Sequence, residues 1–191
     1  GGREDDSLRL LAVGRLSFYK GFNTLIDALA RTPSARLLLV GSGELEQALR
    51  KRAASLELTD RIVFAGTLDE ATLASAYAAA DAFVLPSLDR SEAFGMVLLE
   101  AMRARLPIIA SAIAGSGIGH VMVDGETGLL VKPGDPAALA AAIGELESDA
   151  KLRRRLGEAG YARWQTRFTL ERSAQQVRSL YRDLLQSRST R

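Results

Sequence analysis

Two carboxylates and two cations stand out among the residues that could do chemistry. Arg15 and Lys20 sit five apart in GRLSFYKG, and Glu92 and Glu100 bracket a Phe-Gly pair and an apolar run in SEAFGMVLLEAM, residues 91–102. A guanidinium and an ammonium in a turn flanked by Gly14 and Gly21 can hold a diphosphate, the first through its planar fork and the second as a point charge. The plainer alternative pairs Arg15 with a nearby carboxylate and leaves Lys20 in solvent. For the glutamates, Pro86 ends an apolar run, a loop covers Ser87 to Glu92, and a helix is expected to begin near Phe94 or Gly95. Glu92 then lies in the loop, and Glu100 stands about 7.5 Å along the helix axis from Gly95. They are not a stacked pair on one helix face. They suit two parts of an extended ligand, with the free amides of the helix's first turn turned toward phosphate or sugar oxygens. A Glu100 that merely faces solvent is the competing reading.

Several other chemistries fail on residue type. The chain has no cysteine and a single histidine, His120, so disulfides, thiolate sites and His-cluster metal sites are excluded, and a metal would have to rest on carboxylates. His120 itself is expected to be packed or solvent-facing rather than catalytic. Gly41-Ser42-Gly43 follows an apolar run and opens a helical stretch, as in a dinucleotide fingerprint. Glu46 occupies the third-glycine position, however, where helix and strand must crowd, which argues against a nicotinamide or flavin site. The cluster GSGIGHVM lacks the Lys-Ser/Thr ending of an NTPase phosphate loop. A phosphoreceiver domain would want acids where Arg15 and Lys20 stand.

Formal net charge is +2, unevenly spread: residues 151–191 hold eleven Lys or Arg against three acids, leaving +8 there and −6 elsewhere. This tail, with Trp164, Phe168, Leu180 and Tyr181 interspersed, could meet acidic lipid headgroups or nucleic acid. Its cations fall on several faces, so a solvated helix with its apolar residues packed on the body is the expectation, with no nucleic-acid partner. No apolar run approaches the ~20 residues that span a bilayer. GGREDDSLRL also lacks the basic and apolar regions of a signal peptide. The expected location is cytoplasmic, with peripheral contact at the inner face of the plasma membrane left open.

The elements that must position these residues alternate. Candidate strands cover residues 8–14, 36–41, 61–66, 82–86, 107–111 and 128–131, nearly all apolar on both faces, as doubly buried strands are. Between them lie helical stripes, Leu25, Ile26 and Leu29 in one, Leu45, Ala48, Leu49, Ala53 and Leu56 in another, and the alanine-rich ATLASAYAAA and AALAAAI. The pattern predicts an α/β fold: a Rossmann-like parallel sheet of about six strands with helices on both faces, plus C-terminal helices. In such a sheet ligands bind beyond the carboxyl ends of the strands, where strand order reverses. Four of the five turns after the first five strands are glycine-rich, and the charged residues cluster in them.

The ordered set VGRLSFYKG, LLLVGSGE, VFAGTLDEATLASAYAAADAFVLPS, SEAFGMVLLEAM and DGETGLLVKPGD resembles the C-terminal, nucleotide-sugar-binding domain of glycosyltransferase family 4, the group 1 enzymes of the two-Rossmann-domain (GT-B) type. The resemblance runs from about residue 8 to about residue 186. It implies retaining transfer of a sugar from a nucleoside diphosphate sugar, UDP- or GDP-linked, to a hydroxyl of a glycan, lipid or small molecule, with no metal or cofactor. By this resemblance Arg15 and Lys20 neutralise the diphosphate, Glu92 contacts donor-sugar hydroxyls, and Glu100 bonds the ribose. Backbone amides of Phe94, Gly95 and Met96 hold sugar and phosphate oxygens. Gly14 lines the donor site, and Gly41 to Gly43 and Gly66 to Leu68 lie against the nucleobase. Where the family often carries Gly-Gly-x-Pro-Glu, this chain has GSGIGHV, with Gly119 and His120 at the Pro and Glu positions.

The expected organisation is a tag remnant or linker over residues 1–7, a donor-binding domain over 8–168, and a C-terminal helix over 169–191 that packs toward an N-terminal acceptor domain. No stretch here supplies that acceptor half. An excised domain that binds nucleotide without turning over is therefore expected. The alternatives are a non-catalytic nucleotide-binding or regulatory module of the same fold and a sugar-nucleotide epimerase-like domain.

Overall fold

A computed structural model of the chain describes residues 7–92 and 95–189. Six strands, β1 (Arg9–Val13), β2 (Arg36–Val40), β3 (Ile62–Gly66), β4 (Ala82–Leu85), β5 (Ile108–Ser111) and β6 (Leu129–Val131), form one sheet. Every pairing is parallel, in the order β3-β2-β1-β4-β5-β6. All six strands fall inside the stretches expected from sequence. The Rossmann-like α/β architecture is thus the one the alternation of apolar runs and helical stripes predicts.

Period-two alternation divides the strand side chains between two cores. Leu10 and Ala12 of β1, Ala82 and Val84 of β4 and Ile109 of β5 point into one. Leu11, Phe83, Leu85, Ile108 and Ala110 point into the other. The first is covered by α1 (Phe22–Leu29), α2 (Glu46–Ser55) and α6 (Pro136–Ser148), through Leu25, Ile26, Leu49, Ala53, Leu139 and Ile143. The second is covered by α3 (Glu70–Ala79), α4 (Met96–Arg103) and the short α5 (Ile118–Val121), through Ala76, Tyr77, Leu98, Met102 and Ile118. Ala48, expected in the α2 stripe, is exposed. The buried line runs instead through Leu49 and Ala53, and Ala48 falls on its flank.

The basic tail is two helices, α7 (Ala150–Arg167) and α8 (Leu170–Ser189). α7 lies close against α4: a Cβ at Gly157 would come within 2.1 Å of the Arg105 carbonyl oxygen, so only glycine admits this approach. Several of its arginines satisfy carbonyls left over at helix ends and in turns. Arg153 donates to the Leu146 and Glu147 carbonyls at the end of α6, Arg155 to that of Gly125, and Arg163 to those of His120 and Val121 at the end of α5. Trp164 and Phe168 pack on the second core as expected. α8 does not follow, since it exposes Leu170, Val177 and Tyr181; the side chain of Leu180 lies outside the described set. Among the described residues no helix is long and apolar enough to cross a membrane.

Candidate functional site at the β1–β4 crevice

Strand order reverses at β1. From there the chain builds β2 and β3 to one side and β4, β5 and β6 to the other. The loops leaving the carboxyl ends of β1 and β4 must therefore diverge and leave a crevice between them. They meet at its floor, where the Leu88 amide donates to the Tyr19 carbonyl at 2.7 Å. Gly21 makes the approach possible. Its φ of 68° lies in the left-handed region, and a Cβ there would fall 2.0 Å from the Pro86 carbonyl oxygen.

Lys20 ends a 3-10 turn, Phe18–Lys20, that aims it into the crevice. A Cβ at Gly14 would sit 3.1 Å from Lys20 Cε, so the glycine clears the path of the lysine stem. The ammonium donates to Glu92 Oε2 at 2.5 Å, and Ser87 Oγ donates to the same oxygen at 3.1 Å. Both charged side chains are only 9% exposed, and Ser87 is wholly buried. Lys20 and Glu92, expected to grip different parts of a ligand, are thus in direct contact, and the alternative of a solvent-free-standing Lys20 does not hold. An ammonium has three donors, so a paired Lys20 can still serve an anion. Arg15 follows its plainer alternative in this structure: its side chain is 72% exposed and stands 3.4 Å from Glu44, a surface pair that holds it weakly.

The helix begins at Met96, slightly later than expected, with Gly95 at its N-cap in the left-handed conformation (φ 72°) and no side chain capping the first turn. The Leu98 amide bonds the Gly95 carbonyl at 2.8 Å, and the positive end of the helix dipole lies at the crevice. Met96 is exposed, and Phe94 lies outside the described residues. Glu100, one turn on, is not simply in solvent: the Tyr77 hydroxyl of α3 donates to its Oε2 at 2.7 Å. Burial, then the bond to Glu100 and that carboxylate's charge, push the Tyr77 phenol well above its ordinary value. The two helices border an open groove of about 440 Å³ lined by Glu70, Leu73, Tyr77, Glu100 and Arg103, within the usual size of ligand clefts.

The loops after β2 and β3 close the other side. The Leu16 amide donates to the Ser42 carbonyl and the Gly41 amide to the Gly66 carbonyl. A Cβ at Gly41 would lie 2.0 Å from the Gly14 oxygen, and one at Gly43 2.5 Å from the Leu16 oxygen. These two glycines let neighbouring loops touch, whereas Gly66 faces open space and Leu68 is half-buried against the second core. His120 is exposed, its ring edge-on to Phe168 at 5.7 Å, as a packed surface residue would be. Among the described residues no group of three His, Asp or Glu side chains is placed to hold a metal. Sequence reasoning missed Ser87 and Tyr77. The available signals were a small polar residue directly after the proline that follows β4, and the one aromatic side chain in an alanine-rich helix.

Comparison with known proteins adds the family. The family model for glycosyl transferases group 1 matches residues 1–163. The O-antigen chain mannosyltransferase C of Escherichia coli is 34% identical over 179 residues, 94% of this chain and 47% of that protein. Anabaena Alr3699/HepE, solved in complex with UDP, superposes with a TM-score of 0.85 at 28% identity, over 93% of this chain and 49% of that one. The C-terminal domain of the Francisella tularensis group 1 protein LpcC superposes with a TM-score of 0.77 at 28% identity, over 85% of this chain and 87% of that one. The chain spans about half the length of the curated relatives it matches. With its parallel sheet, its cation-bearing crevice and a matching family model over most of its length, the chain belongs to the group 1 glycosyl transferases.

Proposed function

We propose that the chain is the donor-substrate half of a retaining, metal-independent glycosyltransferase, which moves a sugar from a nucleoside diphosphate sugar to an acceptor hydroxyl. The observation that carries this reading is the buried Lys20–Glu92–Ser87 cluster in the switch-point crevice, with Arg15 exposed after the same strand. When the anomeric C–O bond breaks, its electron pair passes to the diphosphate. The growing charge would face Arg15, Lys20 and the first amides of α4. Such fixed donors stabilise a departing anion more in the transition state than in the ground state, which is the work a metal would otherwise do. Glu92 binds and orients: its Oε2 already accepts from an ammonium and a hydroxyl, which lowers its value as a nucleophile. Glu100 takes the ribose, and the backbone at Gly41, Gly43, Gly66 and Leu68 takes the base. UDP is the first donor nucleotide to try, because HepE was solved with it.

The acceptor, a glycan, lipid-linked or small molecule, would be held by a second half, against which α8, with Leu170, Val177 and Tyr181 exposed, would pack. The 191 residues would then bind nucleotide without transfer. The test follows NDP-sugar consumption in EDTA by this chain alone and by the chain joined to an acceptor-binding half, reading the product's anomeric configuration by NMR. Retained configuration only in the joined protein is expected. Turnover by the 191-residue chain, inversion, or an absolute need for a divalent cation would each overturn a stated part.

A further inference from the structure

We infer that Tyr77 is a positioning residue for Glu100, and that the hydrogen bond between them sets how strongly this chain prefers ribonucleotides over their deoxy counterparts. The inference rests on the reading that Glu100 takes the ribose. Tyr77 is 5% exposed, and its ring stacks on Phe83 with centroids 5.7 Å apart and planes 25° from parallel. Phe83 is fully buried in β4, a central strand of the sheet. The sheet therefore fixes the ring, and the ring fixes where its hydroxyl emerges. That hydroxyl reaches out of the core to Glu100 Oε2.

Glu100 needs such a hold. It sits on an exposed part of α4, and a free glutamate side chain populates many rotamers that ligand binding would have to freeze. The same groove also holds Arg103, three residues along the helix and within reach of an i,i+3 ion pair, and the like-charged Glu70 on α3. With the phenol gone, Arg103 would draw the carboxylate down the helix, away from the crevice. With the phenol present, Oε2 is occupied and the other carboxylate oxygen is presented in one direction to a pair of sugar hydroxyls. Burial and the neighbouring Glu100 carboxylate both favour the neutral phenol, so Tyr77 is the donor in this bond at neutral pH.

Calorimetric titration of UDP against 2′,3′-dideoxy-UDP reads this directly, on wild type, Tyr77→Phe, Glu100→Ala and the double variant. Wild type should prefer UDP by about tenfold or more, the scale of hydrogen bonds to a charged group. Tyr77→Phe keeps the ring stack and should bring that ratio within about threefold, while affinity for the dideoxy nucleotide stays within about twofold of wild type. The double variant should match Glu100→Ala, because Tyr77 acts through Glu100. An unchanged ratio in Tyr77→Phe, or equal weakening of both nucleotides, overturns the inference and leaves the ribose assignment of Glu100 standing. If wild type and Glu100→Ala show the same ratio, or if UDP does not bind, the ribose assignment fails and the inference with it. A Tyr77→Phe melting temperature equal to wild type separates loss of positioning from loss of fold.

Discussion

Replacing Lys20 by methionine tests the buried pair on which the crevice is built. The two side chains are each 9% exposed and their charged atoms lie 2.5 Å apart, with one further hydrogen bond from Ser87. In an environment of effective dielectric about 20, two unit charges even 4 Å apart attract by about 4 kcal/mol. Most of that offsets desolvation, so the intact pair contributes little net stability, whereas deleting one partner strands the other, at a cost of about 3–5 kcal/mol. Methionine fills the lysine stem's volume but leaves the Glu92 carboxylate with only the Ser87 hydroxyl. Lys20→Met should therefore lose about 3 kcal/mol, near the lower bound because some exposure remains. For a domain of this size that is a fall of about 6–12 °C in melting temperature. Removing both charges, in Lys20→Met/Glu92→Leu, should recover all but about 1–2 kcal/mol. Ser87→Ala should lose about 1.5–3 kcal/mol, as for a bond to a charged group. Glu92→Leu alone, which strands the Lys20 ammonium, should also lose about 3 kcal/mol, so urea and thermal unfolding of wild type, the two single charge variants and the double variant close a double-mutant cycle with a coupling energy of about 4–5 kcal/mol. If Lys20→Met melts within about 2 °C of wild type, or the two single losses simply add, the pair is not a buried pair and the reasoning is wrong.

Other outcomes follow from the same geometry. Arg15→Ala should change stability by less than about 0.5 kcal/mol, because its pair with Glu44 is a surface pair, yet should weaken UDP binding several-fold in titration. Gly21→Ala forces a left-handed φ of 68° on a residue with a Cβ and drives that atom to 2.0 Å from the Pro86 oxygen. A loss of about 2–4 kcal/mol in urea unfolding is expected, from strain and displacement of the β4 loop together. Asp135 and Asp149 accept amides at the starts of α6 and α7, those of Ala138 and Leu152 chiefly, and these bonds hold both carboxyls below their ordinary 3.8. The depressed folded values mean that their stabilisation is complete above the unfolded value and is lost as pH falls through the lower folded ones. Asp135→Asn/Asp149→Asn should thus flatten the decline of stability in acid, in melts taken below pH 5.

Much of this was legible because burial on both faces marks parallel strands directly. AFVL of β4 and IIAS of β5 are buried at every position, and a run of that kind has one sensible place in an α/β fold. The turns after the strands were legible for the same reason, since each must sit at the carboxyl edge. What no periodicity encodes is contact between distant turns. Lys20 and Glu92 are 72 residues apart and Tyr77 and Glu100 are 23 apart; only strand order decides that they meet. Gly41 and Gly43 mark close approach of backbone, and in the structure the groups that approach them include Gly14 and Leu16. A glycine marks close approach without saying by what. α8 shows the same limit, since its apolar spacing is evident in the sequence but the surface it faces is not.

In the proposed function, the β1–β4 crevice holds a nucleoside diphosphate without a metal. Calorimetric titration in EDTA with UDP, GDP and ADP, on wild type, Arg15→Ala and Glu100→Ala, tests it most directly. Saturable binding of at least one nucleotide by wild type, weakened in both variants, is the predicted result. No binding, binding that requires a divalent cation, or two variants that bind as well as wild type would contradict it.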